Sequence, residues 1–168
     1  WYDTVETIGE EELSALQGMP DWDGQLKAEL GLVWTEGQPE KLPERLMVPA
    51  LNVRGITSGN TGALARNVIP NTAVASLGIR LVKGNEPEHM KNLVVSHIEK
   101  MGFYVVSEDP DRSLRLKFPR IAKITGGGGS AASRTSMANP FAQSVVAAAR
   151  IAAEQPFGED ASVVAPGM

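Results

Sequence analysis

The sequence contains no cysteine and only two histidines, His89 and His97. The lack of cysteine excludes disulfide bonds, thiolate metal ligands and a cysteine nucleophile. Two histidines are too few for a metal site built from histidine alone. On one helix, their separation places the two side chains about 80° apart, unlike the i, i+4 pair of a helical zinc site. We therefore predict that both histidines are exposed on a helix and that they do not form a helical zinc pair.

The sequence also lacks an excess of basic residues and a long apolar run. Its 16 basic and 20 acidic residues are mixed along the chain and give a formal net charge of -4. Nucleic-acid-binding proteins usually show a basic stripe, and a membrane span needs about 20 consecutive apolar residues. The composition predicts neither a nucleic-acid nor a membrane partner. It is typical of a soluble protein and fits the cytoplasm and the periplasm equally well.

Hydrophobic residues make up 42% of the chain, which is enough for the core of one domain. Residues 1–47 are polar, and apolar residues recur at helical spacing over 10–17 and 22–32. We expect short helices and loops in this region. Acidic clusters at 10–12 and 108–111 are interpreted as a solvated helix start and a solvated loop.

The central third of the chain carries the clearest periodic patterns. Residues 48–57 alternate between apolar and polar side chains, and residues 72–82 do so over their whole length, so both are predicted strands. A third strand is expected at 65–69, a helix at 85–101 and a short strand at 103–106. This order predicts an α+β fold, an antiparallel sheet with helices on one face.

The predicted helix at 85–101 has recognisable ends. Asn85 and Glu88 resemble a capping box, Pro87 suits the first turn, and Gly102 is well placed to end the helix. One apolar stripe runs along it, formed by Met90, Leu93, Val94, Ile98 and Met101.

The last fifty residues do not continue the pattern of the sheet. Residues 107–118 are charged and are expected to form a loop or an edge strand. Four glycines at 126–129 indicate a flexible joint or a close backbone approach. An Ala/Val-rich helix is predicted at 137–153 and a short strand at 162–165. We therefore treat residues 119–168 as a separate piece.

Three stretches carry a family resemblance. Residues 49–56 (Pro-Ala-Leu-Asn-Val-Arg-Gly-Ile), 65–73 (Ala-Arg-Asn-Val-Ile-Pro-Asn-Thr-Ala) and 79–82 (Ile-Arg-Leu-Val) resemble the lid domain of the aminoacylase/carnosinase/glutamate-carboxypeptidase superfamily. Residues 1–3 (Trp-Tyr-Asp) resemble a stretch that follows the first lid helix in the carnosinase-like branch. Residues 133–137 (Ser-Arg-Thr-Ser-Met) resemble the segment where the chain re-enters the catalytic domain. The sequence departs from the family pattern at Gly78, at Lys83 and at residues 136–138.

The resemblance implies a ferredoxin-like lid inserted into a zinc-binding α/β catalytic domain. Residues 1–118 correspond to part of the lid, the dimerisation domain, and residues 119–168 to the segment that returns to the catalytic domain. The parent protein is then a two-zinc metallopeptidase, carboxypeptidase- or dipeptidase-like, or an amidohydrolase that cleaves small peptides or N-acyl amino acids. Its metal ligands lie outside this chain, which we expect to be a catalytically inactive fragment that forms a homodimer through the lid.

Three side chains are candidates for substrate contacts. Asn67 offers both a donor and an acceptor to a substrate carboxylate or carbonyl, although an asparagine at a strand end also stabilises turns. Arg80 and Arg134 have guanidinium groups that match a carboxylate. For Arg80 the pattern favours pairing with an acid on the polar face of the sheet. Arg134 is the better candidate of the two because glycines lie just before it. None of the three is a catalytic residue.

A second hypothesis comes from a different class of protein. The same α+β pattern is compatible with a non-enzymatic module that self-associates through an open sheet edge or helix face. The sequence flanking this chain distinguishes the two hypotheses. A His-x-Asp motif upstream and an acidic pair before the lid would identify the enzyme.

Overall fold

The computed structural model describes residues 1–37 and 39–157 of the chain. The first region is a series of short helices joined by loops, as predicted: α1 (Glu10–Gln17), α2 (Asp23–Leu30) and α3 (Leu42–Arg45). Helix α2 ends at Gly31, whose φ of 66° lies in the left-handed region that glycine adopts at low cost. Helix α3 starts where the Glu44 carboxylate accepts a hydrogen bond of 2.8 Å from the Lys41 amide.

The longest strands form an antiparallel hairpin. Strand β1 (Ala50–Thr57) pairs with β2 (Val74–Arg80), and the register shifts between Val53 and Gly55, where a bulge is centred on Arg54. One extra residue in a strand inverts the alternation beyond it. The bulge therefore keeps apolar side chains on one face of the hairpin: Leu51, Val53, Ile56, Ala75, Leu77 and Ile79.

The strand expected at 65–69 does not form, so that prediction was wrong. Residues 58–73 are instead an exposed loop between β1 and β2, which contains one turn of 3-10 helix at Gly62–Leu64. Pro70 cannot donate a backbone hydrogen bond to a neighbouring strand. The Ser58 hydroxyl donates a 3.0 Å hydrogen bond to the Thr72 carbonyl and closes the loop at its base.

Helix α4 (Pro87–Lys100) confirms the predicted central helix, with Pro87 in its first turn and Gly102, at φ 85°, just past its end. Met90 on its apolar stripe is fully buried. The predicted capping box is wrong, because Glu86 occupies the N-cap and its side chain makes no capping hydrogen bond. The Asn85 side chain instead forms hydrogen bonds with the Thr4 hydroxyl and the Val82 amide.

The chain then forms a second, parallel pair of strands. Strand β3 (Tyr104–Val106) pairs with β4 (Ile121–Lys123), and helix α5 (Arg112–Lys117) lies between them in sequence. The sequence pattern places residues 103–106 in the antiparallel sheet and predicts a loop or edge strand at 107–118. The strand itself forms, but its placement in the antiparallel sheet is wrong. Residues 107–111 form the expected loop, whereas residues 112–117 form a helix because Asp111 accepts a 2.8 Å hydrogen bond from the Leu114 amide.

Helix α6 (Pro140–Phe157) confirms the predicted Ala/Val-rich helix, although it begins three residues later than expected. The strand predicted at 162–165 lies outside the described residues. The α+β class is confirmed, with a small antiparallel sheet and helices. Among residues 1–37 and 39–157, no helix is both long and apolar enough to cross a membrane.

Candidate functional site

The apolar face of the β1–β2 hairpin is largely open to solvent. Ile56 is 73% exposed and Val53 56%, and Leu51 and Leu77 are each about two-fifths exposed. A hairpin of two strands is marginally stable unless another surface covers one of its faces. Contiguous exposed apolar side chains of this kind mark interaction surfaces. The hairpin is therefore the strongest candidate for an association surface in the described part of the chain.

The loop of residues 58–73 carries the first predicted contact residue, Asn67. Asn67 is exposed, and its side chain makes no hydrogen bond with another described residue. The next residues, Val68 and Ile69, are 71% and 95% exposed. The loop thus presents an amide beside two apolar side chains, which is an arrangement suited to contacting a second molecule.

Arg80 lies at the end of β2, on the polar face of the hairpin, opposite Ala50. Its side chain is exposed and forms no ion pair within the described residues. On the same face, the Arg54 side chain passes over Gly78, where an added Cβ would lie 2.9 Å from the Arg54 Cδ. Gly78, which departs from the family pattern, therefore makes room for Arg54.

Arg134 is bound within the chain instead of being presented to solvent. Its side chain is only 9% exposed, and Nη2 donates a 3.1 Å hydrogen bond to the Thr7 carbonyl. The same nitrogen lies 3.7 Å from the Glu6 carboxylate. Lys83 lies 3.0 Å from that carboxylate, so Glu6 lies between two cations. No described hydrogen bond or ion pair joins Arg134 to Asn67 or Arg80.

The turn between β2 and α4, residues 81–86, is packed against the N-terminal arm, residues 1–9. Asn85 is 2% exposed; its Nδ2 donates to the Thr4 hydroxyl at 3.0 Å, and its Oδ1 accepts from the Val82 amide at 3.2 Å. The Glu6 amide donates to the Lys83 carbonyl at 3.0 Å. The two Asn85 bonds satisfy both polar ends of a buried amide.

Glu12 belongs to the acidic cluster interpreted as solvated from its sequence, yet it is only 8% exposed. Its carboxylate accepts a 3.0 Å hydrogen bond from the Met137 amide. That bond is the main cause of a lowered pKa for Glu12, with smaller contributions from Ser136 and Arg134 against the opposing effect of burial. The Met137 contact is distant in sequence, so no local pattern indicates it.

The second acidic cluster has structural roles. Asp109 pairs with Lys123 at 2.7 Å and joins the loop after β3 to β4; this hydrogen bond and the lysine charge lower the pKa of Asp109. The pKa of Asp111 is lowered chiefly by the Leu114 amide at the start of α5. These carboxylates line a shallow depression between β3 and α5 but already have intramolecular partners.

Within residues 1–37 and 39–157, no group of three or more histidine, aspartate and glutamate side chains is placed to hold a metal ion. His89 and His97 are both exposed on α4, in agreement with their predicted position.

Comparisons with known proteins relate this chain to a domain of peptidases. A sequence profile described as "Peptidase dimerisation domain" matches residues 12–103, more than half of the chain. Among solved structures, an M20 family metallo-carboxypeptidase from Sulfolobus solfataricus matches with a TM-score of 0.68 and 25% sequence identity. The match covers 90% of this chain and 31% of that one, so the chain spans about a third of the enzyme's length. No curated protein matches significantly.

Proposed function

The chain belongs to the peptidase dimerisation domain family, and from this premise we propose that it is the dimerisation and substrate-contacting part of a metal-dependent exopeptidase or amidohydrolase. The parent enzyme would cleave small peptides or N-acyl amino acids with two zinc ions. The solved metallo-carboxypeptidase of the M20 family, which this chain matches over 90% of its length, supports the proposal. We propose that residues 1–118 belong to the lid and 119–168 to the returning catalytic segment.

The exposed face of the β1–β2 hairpin carries the dimerisation part of the proposal. Its apolar side chains, defined by the register of the strands, are uncovered within the described chain. Burial of apolar surface at about 25 cal/mol per Å² drives the association of such faces. We propose that a second copy of the chain covers this face and that the assembly is a homodimer.

Light scattering tests this dimer directly. At two concentrations the chain is expected to have twice its monomer mass of 17.9 kDa. Ile56→Asp places a charge on the apolar face and is expected to give a monomer, because an unpaired charge is costly to bury. Thr57→Asp, on the opposite face, is the matched control and should remain dimeric. A monomeric wild-type chain at both concentrations would contradict the homodimer.

Asn67 and Arg80 are the proposed substrate contacts that the geometry supports best, since both are exposed and without side-chain partners in the described chain. Each group can bind a substrate carboxylate. Arg134 remains a proposed contact of the same kind. To bind a substrate, its guanidinium would have to break the hydrogen bond to the Thr7 carbonyl and donate one to a substrate oxygen instead.

Kinetics of the complete enzyme test the role of Asn67. Asn67→Ala is expected to lower kcat/KM for small peptides or N-acyl amino acids by roughly tenfold or more, as for a lost hydrogen bond to a charged group. Asn71→Ala, in the same exposed loop, is the matched control and should leave kcat/KM unchanged. Equal effects of the two substitutions would show that Asn67 does not contact the substrate.

Metal binding is proposed for the parent enzyme and not for this chain. We propose that residues outside this chain bind both zinc ions, and that the isolated chain is inactive. Hydrolysis of a small peptide by the purified chain, abolished by a chelator, would contradict this part. Cell fractionation of the parent protein would decide between the cytoplasm and the periplasm.

A further inference from the structure

We propose that residues 4–12 form a strap that ties the β2–α4 turn to residues 134–137 of the returning segment, so that loosening one attachment loosens the other. The strap runs from the N-terminal arm into the first turn of α1. It is attached to the turn at one end and to the returning segment at the other. The inference does not depend on the proposed enzymatic function.

The first attachment joins the strap to the β2–α4 turn. The buried Asn85 amide donates to the Thr4 hydroxyl, and the Glu6 amide donates to the Lys83 carbonyl. Gly84 allows the close approach, because a Cβ at this position would collide with the Thr4 carbonyl oxygen and lie 2.8 Å from the Glu6 nitrogen. Side-chain and backbone groups of the strap thus contact three consecutive turn residues.

The second attachment joins the strap to the returning segment. Arg134 donates to the Thr7 carbonyl at 3.1 Å, and the Met137 amide donates to Glu12 at 3.0 Å. These partners are 127 and 125 residues apart in sequence. Both acceptors lie in the strap. The same short stretch of chain therefore binds the turn and the returning segment.

The Glu6 carboxylate connects the two attachments. It lies 3.0 Å from Lys83 of the turn and 3.7 Å from Arg134 of the returning segment. Glu6 is about half exposed, so each ion pair alone is weak and screened by salt. Because one carboxylate serves both cations, displacement of the strap at the turn also removes the anion beside Arg134.

Amide hydrogen exchange measured by NMR on the 168-residue chain tests the strap. The reporters are the Glu6 amide at the turn and the Met137 amide at the returning segment. Thr4→Val removes the acceptor of the buried Asn85 amide and is expected to accelerate exchange at both reporters on the order of tenfold. Amides of β1 and β2 should be unaffected.

A second, milder variant examines the opposite direction. Glu12→Gln keeps the shape of the side chain but replaces a charged acceptor with a neutral one, and it is expected to accelerate Met137 and Glu6 exchange by about two- to fivefold. If loosening the attachment at the turn loosens the one at the returning segment, the reverse must also hold, because coupling free energies are reciprocal. Glu11→Gln, an exposed neighbour in the same helical turn, is the matched control and should change neither amide.

Two outcomes would overturn the proposal. If Thr4→Val accelerates exchange at Glu6 alone, the two attachments are independent. If β1 and β2 amides accelerate by the same factor as Met137, the substitution unfolds the whole chain and the strap is not a separate unit.

Discussion

Replacing Gly84 with alanine is expected to destabilise the chain by about 3 kcal/mol or more, because conformational strain and a backbone collision add. Gly84 has φ 96°, a conformation that costs other residues about 1–2 kcal/mol. An added Cβ would also collide with the backbone carbonyl of Thr4. A backbone atom cannot move aside as a flexible side chain can, so the arm must be displaced and its hydrogen bonds lost.

Gly31→Ala is the matched control for this effect. Gly31 also has a positive φ, 66°, but a Cβ added there would have no neighbouring heavy atom within 4 Å. Its substitution is expected to lower the free energy of unfolding only by the cost of the left-handed backbone conformation, about 1–2 kcal/mol. Urea unfolding followed by circular dichroism measures both free energies of unfolding. Equal losses in the two variants would show that the close approach at Gly84 contributes nothing.

Met90→Ala is expected to destabilise the chain by about 2–5 kcal/mol, in the range measured for large-to-small substitutions in protein cores. Met90 is the only hydrophobic side chain of the described residues with no exposed surface. Removing its thioether loses the free energy of burial and leaves a cavity that the surrounding side chains can fill only in part.

Met101→Ala provides the comparison just past the C-terminal end of the same helix. Met101 is 57% exposed, so its truncation removes little buried area and is expected to cost less than about 1 kcal/mol. Thermal unfolding of both variants under identical conditions gives the difference. A Met101 variant that loses as much stability as the Met90 variant would contradict the assignment of Met90 to the core.

The elements with the strongest periodicity were predictable from the sequence. Alternation over 72–82 and the apolar stripe of the central helix correspond to β2 and α4. The strand expected at 65–69 failed because a five-residue segment beside Pro70 contains no information about a pairing partner. Helix α5 had a local signal, Asp111 at the N-cap, that outweighed the charged composition of its segment.

The candidate contact residues were chosen from side-chain chemistry and family resemblance, which contain no information about distant neighbours. Asn67 and Arg80 are both exposed, and their role in binding substrate stays a prediction. Glu12 and Asn85 were misread because their partners, Met137 and Thr4, lie 125 and 81 residues away. A buried polar side chain is stabilised by such partners, and spacing along the chain does not reveal them.

The local sequence pattern was sufficient to determine the α+β class, the positions of α4 and β2, and the family of the protein. These features depend on periodicity and on short motifs, which are properties of neighbouring residues. Tertiary structure alone decided the apolar face created by the bulge at Arg54, the parallel pairing of β3 with β4, and the contacts of Glu12, Asn85 and Arg134. Each of these depends on which distant backbone and side-chain groups meet, because hydrogen bonds and packing act through space.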